Sequence, residues 1–171
     1  MKKRSDTALV IALVGFAVLA TATTGVSAAD KAAATALSGD RLTLSGKQYC
    51  LFGIDAPEPG QQCTLKSGKP YNCGTISKTA LMDLILGATV QCTPVSKQDG
   101  KAACTVAKCS AGGADLSANM VHTGWALARP DARAVYGAIE AKAKQRKYGL
   151  WAGAFVPPWT WRQQSGKRPA R

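Results

Sequence analysis

Six cysteines, at positions 50, 63, 73, 92, 104 and 109, constrain the fold of this 171-residue chain more than any other feature. They lie behind a segment that reads as an export signal. Lys2, Lys3 and Arg4 precede an uncharged apolar run from Ala8 to Ala20, and Val26-Ser27-Ala28 supplies a small-residue cleavage pattern. A permanent membrane anchor is the competing reading, but the run is shorter than the roughly 20 residues a spanning helix needs. No later stretch is long and apolar enough to cross a bilayer, so stable membrane insertion is not expected after cleavage. The exported chain is expected in the periplasm or outside the cell, where thiols are oxidised and three disulfides are the natural count. Zinc is discounted because no two cysteines are spaced C-x-x-C and His122 is the sole histidine. Six cysteines allow fifteen pairings, and position alone does not choose among them.

The chain beyond the signal has the length of one domain with a real core. The net charge of +12 falls by two when Lys2, Lys3, Arg4 and Asp6 leave with the signal, so the domain stays strongly basic. Such a surface concentrates nucleic acid, anionic membranes or acidic polymers. Several of the cations sit in the terminal stretch Arg162 to Arg171, which reads as disordered. The resulting division is a signal over 1–28, a lead-in over 29–37, a folded domain over 38–162 and a basic tail over 163–171.

Within the domain, Arg41 to Leu44 and Lys47 to Phe52 flank Ser45-Gly46, a short connection that favours a hairpin. The next twenty residues read as loop, punctuated by Pro57, Pro59, Gly60, Gly68 and Pro70. Thr75 is placed to cap a helix with Ile76, Ala80, Leu81, Leu84 and Ile85 on one face and Gly87 at its end. Val90 to Val95 and Ala103 to Cys109 read as strands joined by a turn around Asp99-Gly100. A short helix is expected from Asp115 to Thr123, stopped by Gly124. The longest helix is expected from Asp131, with Val135, Ile139 and Ala143 facing inward and Lys142, Lys144, Arg146 and Lys147 outward. Strands first, then helices among the remaining strands, predict an α+β domain around a small antiparallel barrel.

Five segments occur in a telling order: Ser38-Gly39-Asp40, Gly53-Ile54-Asp55-Ala56-Pro57-Glu58, Gly112-Gly113-Ala114-Asp115-Leu116, Gly124-Trp125-Ala126-Leu127-Ala128 and Gly149-Leu150-Trp151-Ala152-Gly153. Together they resemble the thermonuclease, or staphylococcal-nuclease-like, family over Ser38 to about Arg162. The resemblance implies a five-stranded OB-type barrel with three helices and calcium-dependent cleavage of DNA and RNA. It assigns Asp40, Asp55, Glu58 and the Ala56 carbonyl to calcium, a hard ion that takes oxygen ligands. It makes Glu58 the general base that prepares a water for attack.

The family pattern also needs two arginines that clamp the phosphate as charge gathers on it. The first should stand five residues before Asp55, where this chain has Cys50. The second should open a strand of the form Gly-Arg-x-Val-Ala-x-Cys, and that arginine falls on Cys104. Side chains meant to face one phosphate from either side lie near enough to bridge, so the resemblance implies a Cys50–Cys104 bond. Cys63–Cys73 within the long loop and Cys92–Cys109 between neighbouring strands then complete the set. Ser38 and Arg41 also replace an Asp and a Thr of the family turn, and Arg129-Pro130 stands where an aromatic is often found. Lys101 or Arg41 is the candidate substitute cation, though a lysine cannot reproduce a bidentate fork.

The expectation is therefore an exported thermonuclease-like protein with weak or absent activity. The alternatives are an active calcium-dependent nuclease using a substitute cation, and a non-catalytic module that binds nucleic acid, another polyanion or a protein. His122 reads as a solvated surface residue. Trp125 and Trp151 read as core, and Trp159 and Trp161, beside Pro157-Pro158, as clamping the C-terminal segment onto the domain.

Overall fold

Ser45 and Gly46 both take positive φ, 51° and 74°, as a two-residue hairpin turn requires. They sit in a computed structural model that describes residues 33–95 and 104–166. The export signal, the Asp99-Gly100 turn, Lys101 and the last residues of the basic tail lie outside the described residues. In chain order the strands are β1 (Thr35–Ser38), β2 (Arg41–Leu44), β3 (Lys47–Leu51), β4 (Ile54–Asp55), β5 (Gln62–Thr64), β6 (Pro70–Asn72), β7 (Val90–Pro94), β8 (Thr105–Ala111), β9 (Ala114–Asp115) and β10 (Leu127–Ala128). The helices are α1 (Cys73–Ile85), α2 (Leu116–His122), α3 (Arg133–Gln145) and α4 (Pro158–Gln164).

The main sheet runs β1-β2-β3-β8-β7, with the short β9 added beside β8. Its neighbours are antiparallel except β3 and β8, which run parallel with Cys50 opposite Val106. The sheet curls into a half-barrel, and the α+β, disulfide-stapled OB-type architecture is the one the resemblance implies. Leu42, Leu51, Ile54 and Ala107 from the strands meet Leu81 of α1 and Leu116, Met120 and Val121 of α2 in the main core. A second cluster joins Leu127, Leu150 and the Cys63–Cys73 pair to Trp151, Phe155 and Trp159, and it seats the C-terminal segment.

Several elements differ from the sequence reading. There are four α-helices among the described residues, because the segment after Pro157 folds into α4, with Pro158 buried at its first turn. Arg162 belongs to that helix and is 8 % exposed, so it is no part of a disordered tail. The lead-in contributes β1, whose Ala36 is buried. The twenty residues read as loop hold β4 and a small hairpin of β5 and β6, in which Pro70 occupies the strand's first position, where a missing N–H is tolerated. Asn72, not Thr75, caps α1: its side-chain oxygen accepts from Thr75 N at 2.9 Å. The buried face of α1 runs through Ser77, Leu81 and Ile85 and leaves Ile76 exposed. A 3-10 turn over Pro130–Ala132 precedes α3, whose inward residues are Tyr136, Ile139 and Ala143, while Val135 faces solvent. Trp125 and Trp151 are half-buried against the two clusters.

The cap assignment has a direct check. Asn72→Ala is expected to lower stability by about 1 kcal/mol in urea unfolding, and Thr75→Ala by clearly less.

Candidate active site

The acidic residues converge because two glycines let backbone segments meet. A Cβ on Gly39 would strike Ser77 and Ala56, and one on Gly74 would strike the Glu58 carbonyl, so the β1–β2 turn and the acidic loop both lie against α1. The turn delivers Asp40, β4 delivers Asp55, and the loop after buried Ala56 and Pro57 delivers Glu58. All three line one cleft of about 370 Å³, together with Arg41, Cys50 and Arg162. The cleft lies at the mouth of the barrel, where β2 begins and β3 and β4 end.

Asp55 is 1 % exposed, and its partner is Arg162. Arg162 Nη1 donates to Asp55 Oδ1 at 2.9 Å and Nη2 donates to Asp55 Oδ2 at 2.5 Å, a bidentate fork. Nη1 also donates to Glu58 Oε1 at 2.7 Å. On the other side Arg41 Nη2 lies 3.5 Å from Glu58 Oε2, and Arg41 Nε donates to Ser38 Oγ at 3.2 Å. The Ser38 hydroxyl in turn donates to Asp40 Oδ1 at 2.6 Å. At the rim Arg129 forms a second fork with Asp131, at 3.0 and 3.1 Å. Each of the three guanidiniums lining the cleft is thus held by a carboxylate of the same chain.

Cys50 and Cys104 are joined, with Cα atoms 5.6 Å apart, across the parallel β3–β8 pair. Cys63–Cys73 ties the β5–β6 hairpin to the first turn of α1, also at 5.6 Å. Cys92–Cys109 links residues that face one another on β7 and β8. His122 is exposed and meets only the edge of the Tyr148 ring among the described contacts. Lys108 sits over the ring of Phe52, which lines the cleft, at 5.5 Å, and at the hairpin end of β3 Lys47 sits over Tyr49 at 5.4 Å.

The electrostatics follow from this crowding. Burial pushes the Asp40 carboxyl up to about 6; Ser38 and Arg41 oppose the rise, and the Asp55 and Glu58 carboxylates add to it. Hydrogen bonding to Asp55 raises the Arg162 pKa above its ordinary value despite burial. The Arg129 fork holds the Asp131 carboxyl below the usual carboxylate range.

The family model of staphylococcal nuclease homologues matches residues 48–153. The chain belongs to that family. No curated protein matches it. The matched stretch spans Cys50, Asp55, Glu58 and Cys104 and ends before α4, so Arg162 lies outside it. Staphylococcal nuclease homologues bind nucleic acids and are generally calcium-dependent. Asp40, Asp55 and Glu58 carry the oxygen donors that calcium prefers. As arranged they do not fit it: among the described residues no three Asp, Glu, His or Cys side chains are disposed around a common metal position. Both Asp55 oxygens and one Glu58 oxygen are instead taken by Arg162 nitrogens.

Arg162 is the site residue that the sequence reading missed. The signal that could have found it was charge balance, since three carboxylates gathered at one cleft need cations to face them.

The Asp40 shift predicts a pH effect. Its folded-state pKa of about 6 lies above the ordinary 3.8, so the native state keeps a proton that the unfolded chain has already released. The contribution is present below about pH 4 and is lost as pH rises through about 6, a decline of about 3 kcal/mol. In metal-free buffer Asp40→Asn should therefore gain stability over the parent progressively from pH 4 to pH 7 in urea unfolding. A constant difference across that range would contradict the assignment.

Proposed function

We propose that this chain is an exported nuclease homologue whose catalytic power has been lost or greatly weakened and whose barrel binds nucleic acid or a similar polyanion. One observation carries the reading: Cys50 and Cys104, the positions that the family pattern gives to phosphate-clamping arginines, are spent on a disulfide at the cleft. Losing one preorganised donor at a reacting centre typically costs about 2.7–4 kcal/mol, and here two are replaced by sulfur. Arg41, the one of the two expected substitute cations that lies among the described residues, is turned toward Ser38 and Glu58. Glu58, in the role of general base, would need a water beside it, and both of its oxygens face guanidinium groups.

Binding is supported by the residual charge and by Lys108 stacked on Phe52 at the cleft, a combination suited to backbone phosphates and bases. Three disulfides place folding in an oxidising, non-cytoplasmic compartment. Among the described residues no helix is long and apolar enough to cross a membrane. The export signal over 1–28 leads, on this reading, to the periplasm or the exterior.

The test is to incubate the oxidised protein with single-stranded DNA and with RNA, with and without calcium. Turnover is expected to stay far below about 10 s⁻¹, the middle of the range for enzymes. Fluorescence anisotropy should show binding that weakens steeply with added salt. Efficient calcium-dependent turnover would overturn the proposal, and the absence of salt-sensitive binding would remove its second half.

A further inference from the structure

Arg162 stands where a divalent cation would have to stand. Its two terminal nitrogens lie 2.5–2.9 Å from both Asp55 oxygens and from Glu58 Oε1. A calcium ion would need those same oxygens at about 2.3–2.6 Å, inside the volume the guanidinium fills. The two occupants exclude one another by contact as well as by like charge.

The guanidinium is delivered by a built scaffold. Ala154 bridges to Thr64, and the Gln61 side chain, which is fully buried, donates to the Val156 carbonyl at 2.7 Å. Pro158 is buried at the start of α4, and Trp159 packs on the cluster around Cys63 and Cys73. One turn later Arg162 points into the acidic pocket. The pocket's three carboxylates thereby face two guanidiniums, those of Arg41 and Arg162, so their charge is largely compensated from within the chain.

We propose that Arg162 is a tethered counter-cation that replaces the metal of the acidic pocket, and that α4 is a latch closing that pocket to divalent ions. Metal entry would require Arg162 to leave a carboxylate that is almost wholly buried, and breaking one side of a buried ion pair is strongly unfavourable. The parent protein is therefore expected to bind calcium at least about 100-fold more weakly than a variant without the guanidinium. This inference concerns ion occupancy and goes beyond the reading of weakened catalysis.

Calorimetric titration with calcium and thermal unfolding with and without millimolar calcium test it on the full oxidised chain. The parent should show no saturable calcium binding and an unchanged Tm. Arg162→Gln should be destabilised without calcium and recover stability with it, binding one ion per chain. The double variant Arg162→Gln/Asp55→Asn removes both charges, and it should fold without calcium and lose the calcium response. Tight stoichiometric binding by the parent would overturn the proposal. So would an Arg162→Gln protein that calcium neither binds nor rescues, whether it is folded or not. A calcium-binding parent that still fails to cleave nucleic acid would sink the latch alone and leave the reading of weakened catalysis standing.

Discussion

Burying a carboxylate costs several kcal/mol unless a partner is brought to it, and Asp55 is the buried carboxylate around which this domain is arranged. It lies on β4, a two-residue strand held by β10, and so cannot swing out to solvent. Its partner is 107 residues away in sequence. The C-terminal segment must therefore return across the barrel mouth and dock, which is the task of the second core cluster and of the proline pair that starts α4. The fork also draws in Glu58, and through Glu58 it reaches Arg41, Ser38 and Asp40. A single network thus connects the first turn of the sheet to the last helix.

The disulfides divide the remaining work. Cys50–Cys104 reinforces the parallel β3–β8 pair, the contact in the main sheet that local chain folding supports least because its strands are far apart in sequence. Cys92–Cys109 fastens the next pair in that sheet. Cys63–Cys73 holds the small hairpin onto α1 and forms the floor on which Trp159 rests. The bond that fastens the sheet therefore also contributes Cys50 to the wall of the cleft, while the bond in the loop supports the helix that carries Arg162. The same set of covalent ties thus secures both the sheet and the walls of the cleft.

Features governed by neighbouring residues were legible in the sequence. The Ser45-Gly46 hairpin, the end of α1 at Gly87 and the end of α2 at Gly124 each rest on backbone conformations that those residues adopt readily, and all three lie at positive φ. Features governed by distant contacts were less legible. Asn72 and Thr75 are both good capping residues, and the choice fell to Asn72 once Cys73 and Gly74 were drawn against the acidic loop. The inward face of α3 is centred on Tyr136 because its hydroxyl reaches Asp115, a contact that apolar periodicity does not register. In the acidic cluster, Asp40, Asp55 and Glu58 followed from family motifs. Arg162 was hidden in a basic terminal run, where composition favours a solvated tail over a buried ion pair.

Gln61 joins the two halves of this arrangement through one amide. Its oxygen accepts from the Glu58 backbone N–H at 3.1 Å, and its nitrogen donates to Val156 ahead of α4. Neither bond can be exchanged for water while the side chain stays fully enclosed. The acidic loop and the approach to α4 are consequently geared together: a displacement of one strips a hydrogen bond from the other, so the two segments open as one cooperative unit.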